Sequence, residues 1–211
     1  MGVDRPKFRR APAEERRDDL IAAALRSIAR DGHAGVSVRR IAAEAGVSIG
    51  LINHYFPSID DLVASAYEQT ATRFLHLILD EVAKASPSPR ARLSAFLKSS
   101  FAPPILDPAL LHVWVVFWSL TVHSAPLREI QARTWADYRG ALEVYLADCL
   151  ADAAAGPGGG LGTARAALGL GALLDGLWLE WCLNPQSFEP EDGIAICEAY
   201  IDGLQRPAAT T

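Results

Sequence analysis

The sequence predicts an all-α protein of about nine helices. Three observations predict it. Apolar residues recur at helical spacing along nearly the whole chain, whereas runs alternating apolar and polar residues are almost absent. Clusters of proline and glycine ("ASPSPR", "APPILDP", "AGPGGGLG", "NPQSFEPEDG") divide the chain into segments of helical length. Half of the 211 residues are hydrophobic, enough for a sizeable core.

The elements follow in order. Leu20, Ile21, Ala24, Leu25 and Ile28 mark one face of a helix from about Glu14 to Arg30. Gly32 suits the left-handed position that ends it. Ser37 is placed to cap a two-turn helix carrying Val38, Ile41, Ala42 and Ala45. Gly46 closes that helix, Ser48 caps the next over Ile49 to Phe56, and Pro57 stops it. Ser58, with Asp61 three residues on, caps a long helix expected from Ile59 to Ala85. Further helices are expected over Arg90–Phe101, Ala109–His123 and Leu127–Ala153. "AGPGGGLG" holds five glycines and a proline, so it reads as a loop. Thr163–Leu183 is apolar nearly all round and reads as a helix buried on every side. Gly193–Leu204 is the last helix, and no internal repeat is visible.

Charge is uneven. The net charge is -5, yet residues 1–60 hold ten Lys/Arg against eight Asp/Glu. The basic excess lies in Arg5, Lys7, Arg9, Arg10, Arg16 and Arg17, which reads either as a polyanion-facing arm or as a solvated tail. The N-terminus has no apolar stretch of a signal peptide, and Pro6 spoils a myristoylation match at "MG". Apolar runs such as Leu110–Val122 contain His112 or are too short to span a bilayer, so no membrane partner is expected. Cys149, Cys182 and Cys197 show neither metal spacing nor an even disulfide set, which suits a reducing cytoplasm. His33, His54, His76, His112 and His123 lack zinc-site spacing, and "GPGGGLG" lacks the Lys-Ser/Thr ending of a phosphate loop. No metal and no cofactor are expected.

Gly46-Val47-Ser48-Ile49-Gly50 matches the G-x-S-x-G pattern of a hydrolase nucleophile elbow, which would make Ser48 a nucleophile. An elbow needs a buried strand before the serine. The preceding "SVRRIAAEAG" has helical spacing, and a strand there would bury Arg39, Arg40 or Glu44. The better reading is a helix-turn-helix. Gly46 makes the turn, Ala42 and Ala45 permit close helix crossing, and Ser48 caps a recognition helix whose positive end attracts phosphate. Gly50 leaves the front of that helix bare, while Asn53, His54 and Tyr55 present polar groups to the backbone or base edges.

The longer segment "VSVRRIAAEAGVSIGLINHYFPSIDDL" resembles the DNA-binding segment of TetR-family repressors. The number and order of helices also resemble that family over nearly the whole chain. The resemblance implies a three-helix DNA-binding domain over residues 1–58 and a ligand-binding and dimerisation domain over 59–211, acting as a homodimer on palindromic duplex DNA. It places Ser37, Arg39, Arg40, Ser48, Ile49, Gly50, Asn53, His54 and Tyr55 against DNA. Two positions depart from the family pattern: Asn53 replaces a phosphate-binding Tyr and Ile59 replaces a backbone-contacting Lys. Within the family, "HVWVVFWSLTVHSAPLREIQARTWADYRGALEVYL" and "ALLDGLWLEWCLNPQSFEPEDGIAICEAYID" are similar to choline-responsive repressors of glycine betaine synthesis.

Trp114, Phe117, Trp118, Trp135, Tyr138 and Trp178 cluster in the second part of the chain, Trp114 and Trp118 sharing a face at i, i+4. They read either as core packing or as a cage for an organic cation, whose charge the indole faces attract. Asp175, alone among apolar neighbours in "GALLDGLWL", is the cage's candidate carboxylate, with Glu143 a weaker one. The alternatives to a choline-like effector are an apolar or acyl-type effector, with these residues as ordinary core, and a hydrolase built on Ser48.

Overall fold

The computed structural model describes residues 13–151 and 162–205. Arg5, Lys7, Arg9 and Arg10, and all but the last residue of "AGPGGGLG", lie outside the described residues. The described residues form nine α-helices and one 3₁₀ turn, with no strand. Helix α1 spans Ala13–Asp31, followed by the 3₁₀ turn Gly32–Gly35, α2 Val38–Ala45 and α3 Ile49–Tyr55. Then come α4 Ile59–Lys84, α5 Pro89–Ser100, α6 Ala109–Thr121 and α7 Ala125–Ala151. Helices α8 Thr163–Leu183 and α9 Pro190–Gln205 complete the chain.

The expected punctuation is in place. Gly46 ends α2 in the left-handed conformation (φ 65°, ψ 34°), with its N–H turned back to the carbonyls of Ala42 and Ala43. Ser48 Oγ accepts from the Leu51 N–H at 3.3 Å, and Ser58 Oγ accepts from the Asp61 N–H at 3.2 Å while donating to the Asp61 carboxylate at 2.7 Å. Ser37 holds the N-cap position by its extended backbone, but its hydroxyl makes no cap hydrogen bond, so that expected cap is not formed. Helix α9 begins three residues before the expected Gly193. Pro190 starts it, and Asp192 accepts the Glu189 N–H at 3.1 Å. That proline is a helix-starting residue there, not part of a turn.

Two apolar cores form. The first joins α1, α2 and α3 to the front of α4 and one side of α6, through residues such as Leu20, Ile41, Ile52, Leu62, Tyr67, Val116 and Phe117. The second joins the rest of α4 to α5, α7, α8 and α9, through Ile78, Phe96, Leu142, Leu170 and Ile201. Helix α4 therefore lies in both cores.

Two expectations for Thr163–Leu183 are corrected. Within one chain α8 is not buried all round: α6, α7 and α9 cover one side, over Ala166, Ala167, Leu170 and Leu174. The other side leaves Leu168 52% and Leu183 65% exposed. The helix is also long and apolar enough to cross a bilayer, contrary to the expectation that no run is.

The tightest backbone approach is at Gly35, where an added Cβ would meet the Ser27 carbonyl oxygen at 2.2 Å. At Gly46 there is open space but positive φ. Gly46→Ala is expected to cost about 1 kcal/mol, the left-handed penalty. Gly35→Ala must push α1 away from the turn and is expected to cost about 3 kcal/mol. Urea denaturation of the two variants checks the order.

Candidate functional site

Two features of the fold gather the singled-out side chains. The first is the front of the helix pair α2–α3. Ile52 and Phe56, 1% and 2% exposed, anchor one side of α3 in the first core. That packing turns Ser48, Ile49, Gly50, Asn53 and His54 outward, all exposed. An added Cβ at Gly50 would find only Ser48 Oγ, 3.9 Å away, so the backbone there is open to close approach. Tyr55 is half-buried on the first core, with its ring edge-on to His54 at 5.2 Å. The segment before Ser48 is helix α2 and a left-handed glycine, so the strand of a nucleophile elbow is not formed.

The two arginines of α2 differ. Arg40 Nη1 donates to Asp31 at 2.8 Å, while Arg30 and Arg26 hold Glu44 at 2.6 and 2.8 Å. These pairs tie the end of α1 to α2. The guanidinium of Arg30 holds the Asp31 and Glu44 carboxyls below the usual carboxylate range, with Arg40 and Arg26 adding to it. Arg39 is exposed, and no acidic group among the described residues engages it. Ser37 is half-buried at the start of α2.

The second feature is a cavity of about 120 Å³ between α4, α5, α6, α7 and α8. Trp114, Trp118, Trp135, Tyr138, Asp175 and Trp178 all line it. Phe117 does not: it is 0% exposed and packs against Tyr67, ring centres 5.1 Å apart, on the side of α6 that faces the first core. Glu143 also lies off the cavity. Sequence reasoning missed Tyr67, Phe74, Ser100 and Thr134 in the wall. The signal was present in α4, where Tyr67, Ala71, Phe74 and Ile78 form a stripe at helical spacing.

The indoles interlock. Trp114 and Trp118 stack at 6.2 Å, and Trp118 meets Trp178 edge-on at 6.3 Å. The Trp178 indole N–H donates to the Ile105 carbonyl at 3.0 Å, which fixes that ring and pins the proline-rich segment to the cavity. Among the described residues, Asp175 is the only acidic side chain in the wall. Burial pushes its carboxyl up to about 6, and no hydrogen bond or ion pair from another described residue offsets it. Burial also raises the Tyr138 and Tyr67 hydroxyls, and the charge of Asp175, which lines the same cavity, adds to both.

An exposed, glycine-turned helix pair with an open recognition helix, joined to a helical domain that holds an aromatic cavity, is the arrangement of a DNA-binding regulator. Residues 20–66 match the pattern of bacterial regulatory proteins of the tetR family. Residues 89–206 match the C-terminal part of BetI-type transcriptional repressors. The HTH-type transcriptional regulator BetI of Burkholderia thailandensis is 32% identical, covering 93% of this chain and 96% of that relative. The chain belongs to the TetR family of transcriptional regulators, with a C-terminal part of the BetI type. A transcriptional regulator of Pseudomonas aeruginosa PAO1 has the same fold at 40% identity and a TM-score of 0.85, over 95% of each chain. Two more distant structures share the fold at 21% identity. A Saccharomonospora viridis regulator in complex with choline has a TM-score of 0.75 over 90% of this chain and 96% of its own. FadR of Bacillus subtilis in complex with stearoyl-CoA has 0.68 over 89% and 96%.

The Asp175 shift has a sign. Its folded-state pKa of about 6 lies above the ordinary 3.8, so the ionised group destabilises the fold above pH 6 and that penalty fades as pH falls toward 4. Asp175→Asn is therefore expected to stabilise the ligand-free protein at pH 8 by about 2 kcal/mol. The advantage shrinks as pH falls through 6, and thermal melts across pH 5–8 check it.

Proposed function

We propose that the protein is a homodimeric repressor that holds a near-palindromic operator and is released from it by a small organic cation, choline at first choice. Residues 1–58 form the DNA-binding domain with its basic arm, and 59–211 form the ligand-binding and dimerisation domain. Its work is cytoplasmic, which suits a chain whose three cysteines form no disulfide.

The observation that carries the ligand reading is Asp175: an ionisable carboxylate in the wall of a tryptophan-rich cavity, with no cation among the described residues to offset it. A quaternary ammonium group would supply the missing charge, and indole faces would contribute roughly 0.5–2 kcal/mol each. The choline complex of a regulator sharing this fold supports the same choice. A long acyl effector fits less well. The cavity of about 120 Å³ offers roughly eight to twelve water-sized positions, short of a long chain, and a carboxylate in an acyl pocket would serve no purpose.

The DNA reading rests on the outward side of α3 and on Arg39. The dimer reading rests on Leu168, Ala172, Gly176 and Leu183 of α8 and Ile196 of α9, an exposed, largely apolar face that a second copy would cover. Two-fold symmetry then presents two recognition helices to successive major grooves, and the operator mirrors that symmetry. Release follows if ligand binds better to a dimer whose recognition helices are mis-spaced. A hundredfold preference corresponds to about 2.7 kcal/mol of coupling. Helix α4, lying in both cores, is the proposed lever.

Fluorescence anisotropy with DNA upstream of the protein's own gene tests the DNA reading, and binding that shows no salt dependence removes it. Arg39→Ala is expected to weaken binding across all sequences and lower the salt slope by about 1. Arg40→Ala breaks only the exposed Asp31 pair and is expected to cost less than about 1 kcal/mol of stability, with a smaller effect on DNA. Leu168→Glu is expected to yield folded monomers in sedimentation analysis and to abolish operator binding. A choline titration that leaves tryptophan emission flat in a folded protein favours the acyl reading.

A further inference from the structure

Helix α3 turns two unlike side chains outward together. Ile49 is 39% exposed, and among the described residues it is the only large apolar side chain of α1, α2 and α3 left exposed. Asn53, also exposed, stands four residues on, so the two lie about 40° apart around the helix. Gly50 leaves the backbone beside them open. The fold uses neither side chain. Ile52 and Phe56 anchor α3 in the first core. Ser48 Oγ is taken up by the Leu51 N–H, and the His54 ring rests edge-on against Tyr55. No hydrogen bond from another described residue reaches the Asn53 amide.

We propose that Ile49 and Asn53 are the pair that reads sequence: in each operator half-site Ile49 seats on a thymine methyl group and Asn53 pairs with an adenine. The inference rests on the DNA reading of α3 and adds a base preference to it. Four residues of helix rise about 6 Å. Neighbouring bases of one strand lie about 3.4 Å apart along the duplex. The two contacts therefore fall on bases one or two steps apart. An amide side chain offers an acceptor and a donor side by side, and adenine shows the complement in the major groove, N7 accepting and N6 donating. Guanine shows two acceptors there, so the amide oxygen would face O6 with no proton between them. Thymine alone carries a methyl group on that edge. Cytosine lacks it and offers a donor that an isoleucine cannot satisfy once water is excluded. A phosphate contact would leave the pair unexplained, because its oxygens only accept and give an exposed isoleucine nothing apolar to cover.

The test selects tight binders of the full chain from duplexes randomised as inverted repeats, then measures affinities by fluorescence anisotropy on the selected duplex. Each half-site is expected to fix a thymine and an adenine one or two steps apart. Replacing that adenine's A·T pair by G·C in one half-site is expected to weaken the unaltered protein about tenfold. Replacing that thymine by deoxyuridine, which lacks only the methyl group, is expected to weaken it about fourfold. Asn53→Ala is expected to lose the first penalty and keep the second, and Ile49→Ala the reverse. Both side chains are exposed, so both variants are expected to keep the circular dichroism of the unaltered protein. Selected half-sites without such A·T pairs, or deoxyuridine at no cost to the unaltered protein, overturn the readout and leave the repressor reading standing. Asn53→Ala weakening every duplex equally, with the adenine preference intact, makes Asn53 a backbone contact and also overturns it. If the unaltered protein enriches no sequence at all, the repressor reading falls and the readout falls with it.

Discussion

The structure depends on one sharing arrangement: α4 and α6 each pack into the core that carries the recognition helix while also walling the cavity. Leu62, Val63, Ala66 and Tyr67 of α4 belong to the first core, and Phe74, Leu75 and Ile78 of the same helix reach the cavity. On α6, Val113, Val116 and Phe117 fill the first core while Trp114 and Trp118 line the cavity. Tyr67 belongs to both, its ring edge-on to Trp114 at 5.5 Å while it lines the cavity together with Thr134. Close-packed interiors do not deform smoothly, so displacement of a wall residue is passed on to whatever it packs against. His112 Nδ1 lies 3.1 Å from the Ala29 carbonyl of α1, which adds a polar tie from α6 to the DNA-facing unit.

Asp175 shows what the cavity gives up for this. An apolar residue at that position would pack without the desolvation penalty that lifts the carboxyl to about 6. Local rules broken without compensation inside the fold are where a site is expected. The Arg30, Arg40, Asp31 and Glu44 pairs are the opposite case. They are surface ion pairs with mutual partners, and they serve to align α1 with α2.

Most of the architecture was legible because helices announce themselves locally. Apolar stripes, Ser48 and Ser58 as caps, and Gly46 as a stop each act within one or two turns, and each is found where expected. The errors came from nonlocal facts. Pro190 looks like a turn residue from sequence, and only the cap at Glu189–Asp192 shows it opening α9. Phe117 sits between two cavity tryptophans in sequence, but a 100° turn per residue places it on another side of α6. Tyr67, Ser100 and Thr134 escaped notice because a hydroxyl's role depends on which helix crosses it, and spacing along one chain does not encode that. Arg40 and Arg39 are neighbours in sequence, yet only the fold reveals that one is engaged by Asp31.

The all-round apolarity of α8, read at first as complete burial, takes a different meaning in three dimensions. One side, with Ala166, Ala167 and Leu170, packs into the second core. A second, with Leu174, Asp175 and Trp178, lines the cavity. A third, with Leu168, Ala172 and Leu183, is open in the single chain. Under the dimer reading, that third side is the subunit contact, so ligand and partner subunit meet adjoining sides of the same helix. A rigid helix cannot adjust one side without moving the other. A ligand seated against Asp175 would then act on the angle between subunits as well as on α4, and both routes end at the separation of the recognition helices. That separation is the quantity operator DNA measures, since half-sites one helical turn apart tolerate little error.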